Sequence, residues 1–291
     1  MRILLTGAHG QLGKALQAVL SEHEVAAFSH EQLDITRLDE VRAACAARRP
    51  DLVINAAAYN NVDGAESDSS AAYAGNALGP RNLAVATAAR QIPLLHVSTD
   101  YVFDGESLRP YHEYDRPNPQ SVYGASKLAG EEAVRTFNWR HYIVRTAWLY
   151  DVGGRNFPHT MLTLAKNNPV VRVVSDQFGS PTYVPHLAQA LVSLLTSEAY
   201  GTYHFAGQGG TSWYELTRVL YRALDVPTPV LPVSSAEFPR PARRPRYAVL
   251  TTIQDPRIVL PPWEDGVAAF ARALQSSQCV GSRGSICVQI I

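Results

Sequence analysis

Tyr123 and Lys127 stand four residues apart in a chain with fourteen tyrosines and only three lysines, Lys14, Lys127 and Lys166. Random placement would give about 0.14 Tyr-x-x-x-Lys pairs over this length. On a helix, the spacing sets the phenol and the ammonium on one face. A free phenol, with a pKa of about 10, is a sluggish acid near neutrality, and an adjacent ammonium lowers that value. Such a pair suits proton delivery to a carbonyl oxygen as hydride reaches its carbon. Thr99 closes the run Val97-Ser98-Thr99, 24 residues before Tyr123, and offers a hydroxyl to hold that oxygen.

Hydride needs a donor, and the N-terminus supplies a place for one. Thr6-Gly7-Ala8-His9-Gly10-Gln11-Leu12-Gly13 sits where a first strand hands over to a first helix. Gly7 permits a tight turn, Gly10 lets backbone approach a pyrophosphate, and Gly13 lets helix and strand pack closely. The phosphates then lie at the positive end of the helix. The second strand ends in Phe28-Ser29-His30-Glu31, with no acid at its tip to bind an adenosine 2′-hydroxyl and repel a 2′-phosphate. That leans toward NADPH, with NADH as the alternative.

These residues need elements to carry them. Short Val-, Ile- and Leu-rich runs at Arg2–Thr6, Glu24–Phe28, Leu52–Asn55, Leu94–Ser98 and Tyr142–Thr146 predict strands buried on both faces. Helical patterns at Gln11–Ser21, Leu38–Arg48, Ser70–Ala89 and Tyr123–Thr136 alternate with them, as in βαβ units around a parallel sheet. Thr36 is the expected N-cap of the second helix. After about residue 150 the pattern changes to Pro- and Arg-rich loops with helices at Pro185–Thr196 and Ser212–Leu224. Tyr203–Ala206 reads as a strand returning to the first half. The expected division is 1–150 for the cofactor, 151–276 for the substrate and 277–291 as a tail.

Composition bounds the rest. At 291 residues, with 46% hydrophobic and 18% charged, the chain is long and apolar enough for a sizeable core. A formal net charge of zero gives no bulk attraction to nucleic acid or membrane. Cys45, Cys279 and Cys287 have neither zinc nor disulfide spacing, so a reducing cytoplasm is expected and no metal site. The apolar run after Met1-Arg2 is too short for a signal peptide, and no segment is long enough to span a bilayer.

The strings Thr6–Gly13, Asn55-Ala56-Ala57-Ala58, Val62-Asp63-x-Ala65-Glu66, Ser98–Phe103, Tyr123–Glu131, Arg145-Thr146-x-Trp148-x-Tyr150, Asn156-Phe157 and Asp176–Thr182 carry a resemblance over roughly residues 1–275. The chain resembles the dTDP-4-dehydrorhamnose reductase family of the extended short-chain dehydrogenase/reductase superfamily. The resemblance implies an α/β fold, a Rossmann-type doubly wound parallel sheet with a smaller C-terminal substrate domain. It implies Thr99, Tyr123 and Lys127 as the catalytic set, reducing the C4 ketone of a nucleotide sugar with NADPH. Gly7, Gly10, Gln11, Leu12, Asp34, Ile35, Ala58, Tyr59 and Asn60 would hold the cofactor. Val62, Thr99, Asp100, Tyr101 and Trp148 would line the sugar pocket. Family members that dimerise through magnesium carry a Glu early in the first helix, where this chain has Lys14-Ala15, so a monomer or weak homodimer is expected. Another nucleotide-sugar 4-ketoreductase, an epimerase and a non-catalytic regulatory subunit on the same fold remain as alternatives.

Overall fold

The computed structural model describes residues 1–195 and 197–281. Five strands, β1 (Arg2–Thr6), β2 (Glu24–Phe28), β3 (Leu52–Asn55), β4 (Leu94–Thr99) and β5 (His141–Thr146), form a parallel sheet with the returning segment Gly201–His204. Their order across the sheet is Gly201–His204, β5, β4, β3, β1, β2. The helices are α1 (Gln11–Val19), α2 (Leu38–Arg48), α3 (Val62–Ser67), α4 (Ser69–Tyr73), α5 (Gly79–Ala88), α6 (Val122–Phe137), α7 (Phe157–Asn167), α8 (Val184–Leu194), α9 (Trp213–Ala223) and α10 (Trp263–Gly281).

Strand side chains alternate between faces, and the alternation builds two cores. Ile3, Leu5, Ile54, Leu95 and Val144 pack under α1 and α8 with Leu12, Leu16, Leu187 and Leu191. Leu4, Val53, Leu94 and Ile143 face the other way, onto Val41 of α2, Leu83 of α5 and Val134 of α6. Each such fully buried aliphatic side chain contributes about 1.5–3 kcal/mol. The sheet is therefore doubly wound. A third core joins Met161 of α7, Leu216 and Leu220 of α9, Val267 and Phe270 of α10, and Val171 and Val173.

Three expectations are corrected. The single helix over Ser70–Ala89 is α4 and α5 separated by a π-helical turn, Ala74–Leu78. Pro80, in the first turn of α5, has no N–H to continue a regular ladder, and the wider turn absorbs the break. Thr36 does not cap α2; Arg37 holds that position, while Thr36 donates backbone N–H and hydroxyl to Asp34 Oδ1 at 2.9 and 2.8 Å. The segment expected to be a tail begins inside α10, which runs to Gly281; residues 282–291, Cys287 among them, lie outside the described residues. Thr196, the expected end of a helix, lies outside them too, and α8 ends at Leu194.

The functional consequence is a crevice. β1 has β2 on one side and β3 on the other, so the connections leave it in opposite directions. Ligands bind at the carboxyl ends of strands where that reversal opens a cleft.

Candidate active site

Two adjoining cavities open along the carboxyl edge of the sheet. One, of about 650 Å³, is lined by Gly7, Gly10, Ser29, Glu31, Asp34 and Ile35, and by the Ala58-Tyr59-Asn60 segment. The other, of about 570 Å³, is lined by Gly10–Gly13, Val62, Thr99, Asp100, Tyr101, Tyr123, Lys127 and Trp148. Gly10, Ala56, Ala57, Ala58 and Asn60 border both. Every residue singled out in the sequence for cofactor, substrate or catalysis thus reaches one cavity or the other.

The first turn fits a dinucleotide. Gly7 has φ +74°, and a Cβ there would lie 2.6 Å from the Ala56 carbonyl. A Cβ on Gly13 would run into the Gly7 carbonyl oxygen, so strand and helix approach as only glycine allows. α1 begins at Gly10 with no side-chain cap, leaving its first N–H groups for an anion. Gln11 reaches across the cleft, accepting from Asn156 Nδ2 at 3.0 Å.

Tyr123 lies in the first turn of α6, where the N-cap Ser121 accepts from Gly124 N at 3.2 Å. Its ring meets that of Tyr101 edge-on, with centroids 5.5 Å apart. Burial pushes the Tyr123 phenol up to about 12; the Thr99 hydroxyl opposes the shift and Asp100 adds to it. This corrects the expectation of a phenol lowered by Lys127. Desolvation, which favours the neutral phenol, decides the outcome.

Lys127 is 2% exposed and donates from Nζ to the Val97 carbonyl at 2.7 Å. Burial brings it down to about 8, against the pull of Glu131. Thr99 ends β4, donates to Asp100 Oδ1 at 3.0 Å and accepts from Tyr101 N at 3.2 Å. The other oxygen of Asp100, Oδ2, is buried without a partner, and burial pushes its carboxyl up to about 7. A polar group left so beside a cavity is one a ligand can satisfy.

Other residues in the cavity wall and behind it were not picked out in the sequence. Trp213 and Leu216 of α9 join the wall from the second half of the chain. Asn76, fully buried in the π turn, clasps Tyr59 through N and O at 2.8 and 3.0 Å and donates to Ser126 Oγ at 3.0 Å. No spacing rule marks either site. Beyond the rim, Arg244 pairs in a fork with Asp63 of α3, placing the Arg-rich loop 240–246 beside Val62.

Residues 1–276 match a family described as RmlD substrate binding domain. The chain belongs to that family. It is 45% identical over 282 residues to a dTDP-4-dehydrorhamnose reductase of Mycobacterium tuberculosis, covering 94% of this chain and 92% of the relative. A probable dTDP-4,6-dihydroxy-2-methyloxan-3-one 4-ketoreductase of Streptomyces antibioticus is 44% identical over 255 residues, covering 86% of each chain. The crystal structure of a Bacillus anthracis dTDP-4-dehydrorhamnose reductase in complex with NADP superposes with a TM-score of 0.91 at 40% identity. It covers 94% of this chain and 99% of that one.

Proposed function

We propose that the protein reduces the C4 ketone of dTDP-4-dehydro-L-rhamnose to give dTDP-L-rhamnose, with NADPH as reductant. The observation that carries this reading is the meeting of Thr99, Tyr123 and Lys127 in one cavity that shares its border with a glycine-floored second cavity. Residues 1–150 supply the cofactor cleft and much of the sugar side, and residues 151–276 add Phe157, Trp213 and Leu216 to the sugar side. When bound, the reduced nicotinamide supplies hydride to C4.

The chain's own residues do the rest. Thr99 orients the C4 oxygen, and Tyr123 gives its phenolic proton to it. A phenol held near 12 is fully protonated at neutral pH, as a donor must be. The Lys127 ammonium favours the tyrosinate that results and holds the nicotinamide ribose. Gln11 and Leu12 would present backbone N–H groups to the diphosphate, and Gly10, whose own N–H is held by the Gly7 carbonyl, would let it approach the backbone, while Asp34, Ile35 and the Ala58–Asn60 segment would bound the adenosine. Asp100, Tyr101, Val62 and Trp148 enclose the sugar.

No helix among the described residues is long and apolar enough to cross a membrane. We assign the protein to the cytoplasm, as a monomer or weak dimer. The similarity to the Streptomyces ketoreductase supports a second reading, reduction of a different dTDP-4-keto sugar. Oxidation of NADPH and of NADH, followed by absorbance with each 4-keto sugar nucleotide, decides between them. Tyr123→Phe should cut turnover by at least about 10²-fold while NADPH still binds. Near-wild-type turnover in that variant sinks the reading.

A further inference from the structure

Glu131 stands one turn beyond Lys127 on α6 and is completely buried. Arg145 of β5 grips it twice, Nε to Oε1 at 2.9 Å and Nη2 to Oε2 at 2.7 Å, and Arg135 adds a bond at 2.8 Å. Burial works against its ionisation, but the arginines outweigh burial and hold its carboxyl down at about 2. The two arginines therefore compensate most of the charge.

A further donor also reaches this carboxylate. Ser98 Oγ donates to Glu131 Oε1 at 2.5 Å. Ser98 faces Arg145 across the β4–β5 ladder, so one carboxylate joins both strands to the helix. Its place in the chain is the telling point. The residue before it, Val97, supplies the carbonyl that Lys127 holds, and the residue after it is Thr99.

Nothing short and covalent sets α6 against the end of β4. The chain between Thr99 and Val122 wanders through a 3-10 turn and a long loop. Besides the Thr99 hydroxyl that acts on the Tyr123 phenol, two side-chain hydrogen bonds among the described residues tie β4 directly to α6: Lys127 to Val97 and Ser98 to Glu131. A bond to an ionised acceptor in a dry setting is the stronger kind.

We propose that the Ser98–Glu131 hydrogen bond is a positioning device for catalysis, locking the end of β4 to α6 so that Thr99 and Lys127 keep their places relative to Tyr123. The proposal rests on the reductase reading above. Ser98 borders the cavity but donates its hydroxyl hydrogen bond to Glu131, so it acts through its neighbours. A sub-ångström slip between the strand end and the helix would misplace the Thr99 hydroxyl from the oxygen that Tyr123 protonates. Errors of that size are costly in rate and cheap in binding.

The test uses full-length wild type, Ser98→Ala and Tyr123→Phe in one series. It measures kcat, KM for the 4-keto sugar nucleotide, NADPH Kd by fluorescence titration, and thermal unfolding. Ser98→Ala should lower kcat about tenfold, with the two binding constants changed by no more than about threefold and Tm by only a few degrees. A kcat within twofold of wild type overturns the proposal. So does a lowered kcat explained by lost folding, seen as a collapsed Tm and a matching loss of NADPH-binding sites. If wild type turns over nothing, the reductase reading fails and the proposal falls with it. If wild type is active, Tyr123→Phe inactive and Ser98→Ala normal, the positioning role alone fails.

Discussion

The indole of Trp148 lies flat on that of Trp213, with ring centroids 3.3 Å apart and planes within 6°. Trp148 follows β5 and Trp213 opens α9, so the stack joins the two halves of the chain at the cavity wall. Trp148 adopts φ +46°, a left-handed conformation that costs a bulky side chain about 1 kcal/mol or more. Something must offset that cost, and the stack on Trp213 does so. Trp213→Ala should therefore release Trp148 and raise KM for the sugar nucleotide about tenfold. NADPH Kd, set on the far side of the cleft, should stay within twofold of wild type. Steady-state kinetics and a cofactor titration check both halves.

Asp100 makes stability depend on pH in a definite direction. Its folded carboxyl is raised to about 7 by burial, against donors from Thr99 and the backbone N–H groups of Asp100 and Tyr101. The folded protein thus keeps a proton that the unfolded chain releases above about pH 4. The stability from this group is full below that point and is lost as pH rises through about 7. Asp100→Asn cannot ionise, so the loss should vanish. Urea unfolding at pH 4 and pH 8 should show the variant gaining about 2–4 kcal/mol on wild type between the two.

The adenosine end predicts a change in cofactor choice. No arginine or lysine lines that cavity, whereas Glu31 does, with Ser29 Oγ donating to its Oε2 at 2.6 Å. The Ser29 hydrogen bond and the backbone keep the carboxylate below its usual range, hence charged. A charge there opposes a 2′-phosphate, which corrects the expectation that the end of the second strand brings no acid to the adenosine ribose. Glu31→Gln should lower KM for NADPH about fivefold and leave KM for NADH nearly unchanged. Parallel initial-rate measurements with the two cofactors test this, and equal changes in both would contradict it.

Much of this was readable beforehand, for physical reasons. Strands buried on both faces must be continuous apolar runs, so β1 and β3 stand where composition puts them, to the residue; β2 also keeps its expected bounds, but as the edge strand it is only partly buried, which corrects the expectation of burial on both faces. Gly7 and Gly13 announce a turn that side chains forbid. The Tyr123 phenol was misjudged because adjacency on a helix face says nothing of desolvation, which here outweighs the ammonium. Trp213 arrives from 90 residues beyond Tyr123, and no local period encodes that meeting. Glu131 had visible signals, its place four residues after Lys127 and four before Arg135, but Ser98 and Arg145 reach it only in the fold.

Asn76 is the least legible of all and yields the sharpest test of coupling. It sits in the π turn, where the wider coil lets its amide face inward, and it is fully buried. Its Oδ1 accepts from Tyr59 N at 2.8 Å; its Nδ2 serves Tyr59 O and Ser126 Oγ, both at 3.0 Å. Ser126 in turn donates to the Tyr123 carbonyl at 2.7 Å. One amide thereby connects the loop that bounds the cofactor cavity to the turn that carries Tyr123. Asn76→Ala would strand buried donors and acceptors on both sides, at about 2–4 kcal/mol in total. Asn76→Asp keeps the acceptor for Tyr59 N and loses only the two donations, but buries a charge. Alanine should therefore weaken NADPH binding and kcat together, by about tenfold each, in protein that still unfolds cooperatively. Cofactor titration beside turnover reads this directly: a loss confined to stability, with both functional constants intact, would show that the clasp braces the fold and does not couple loop to helix.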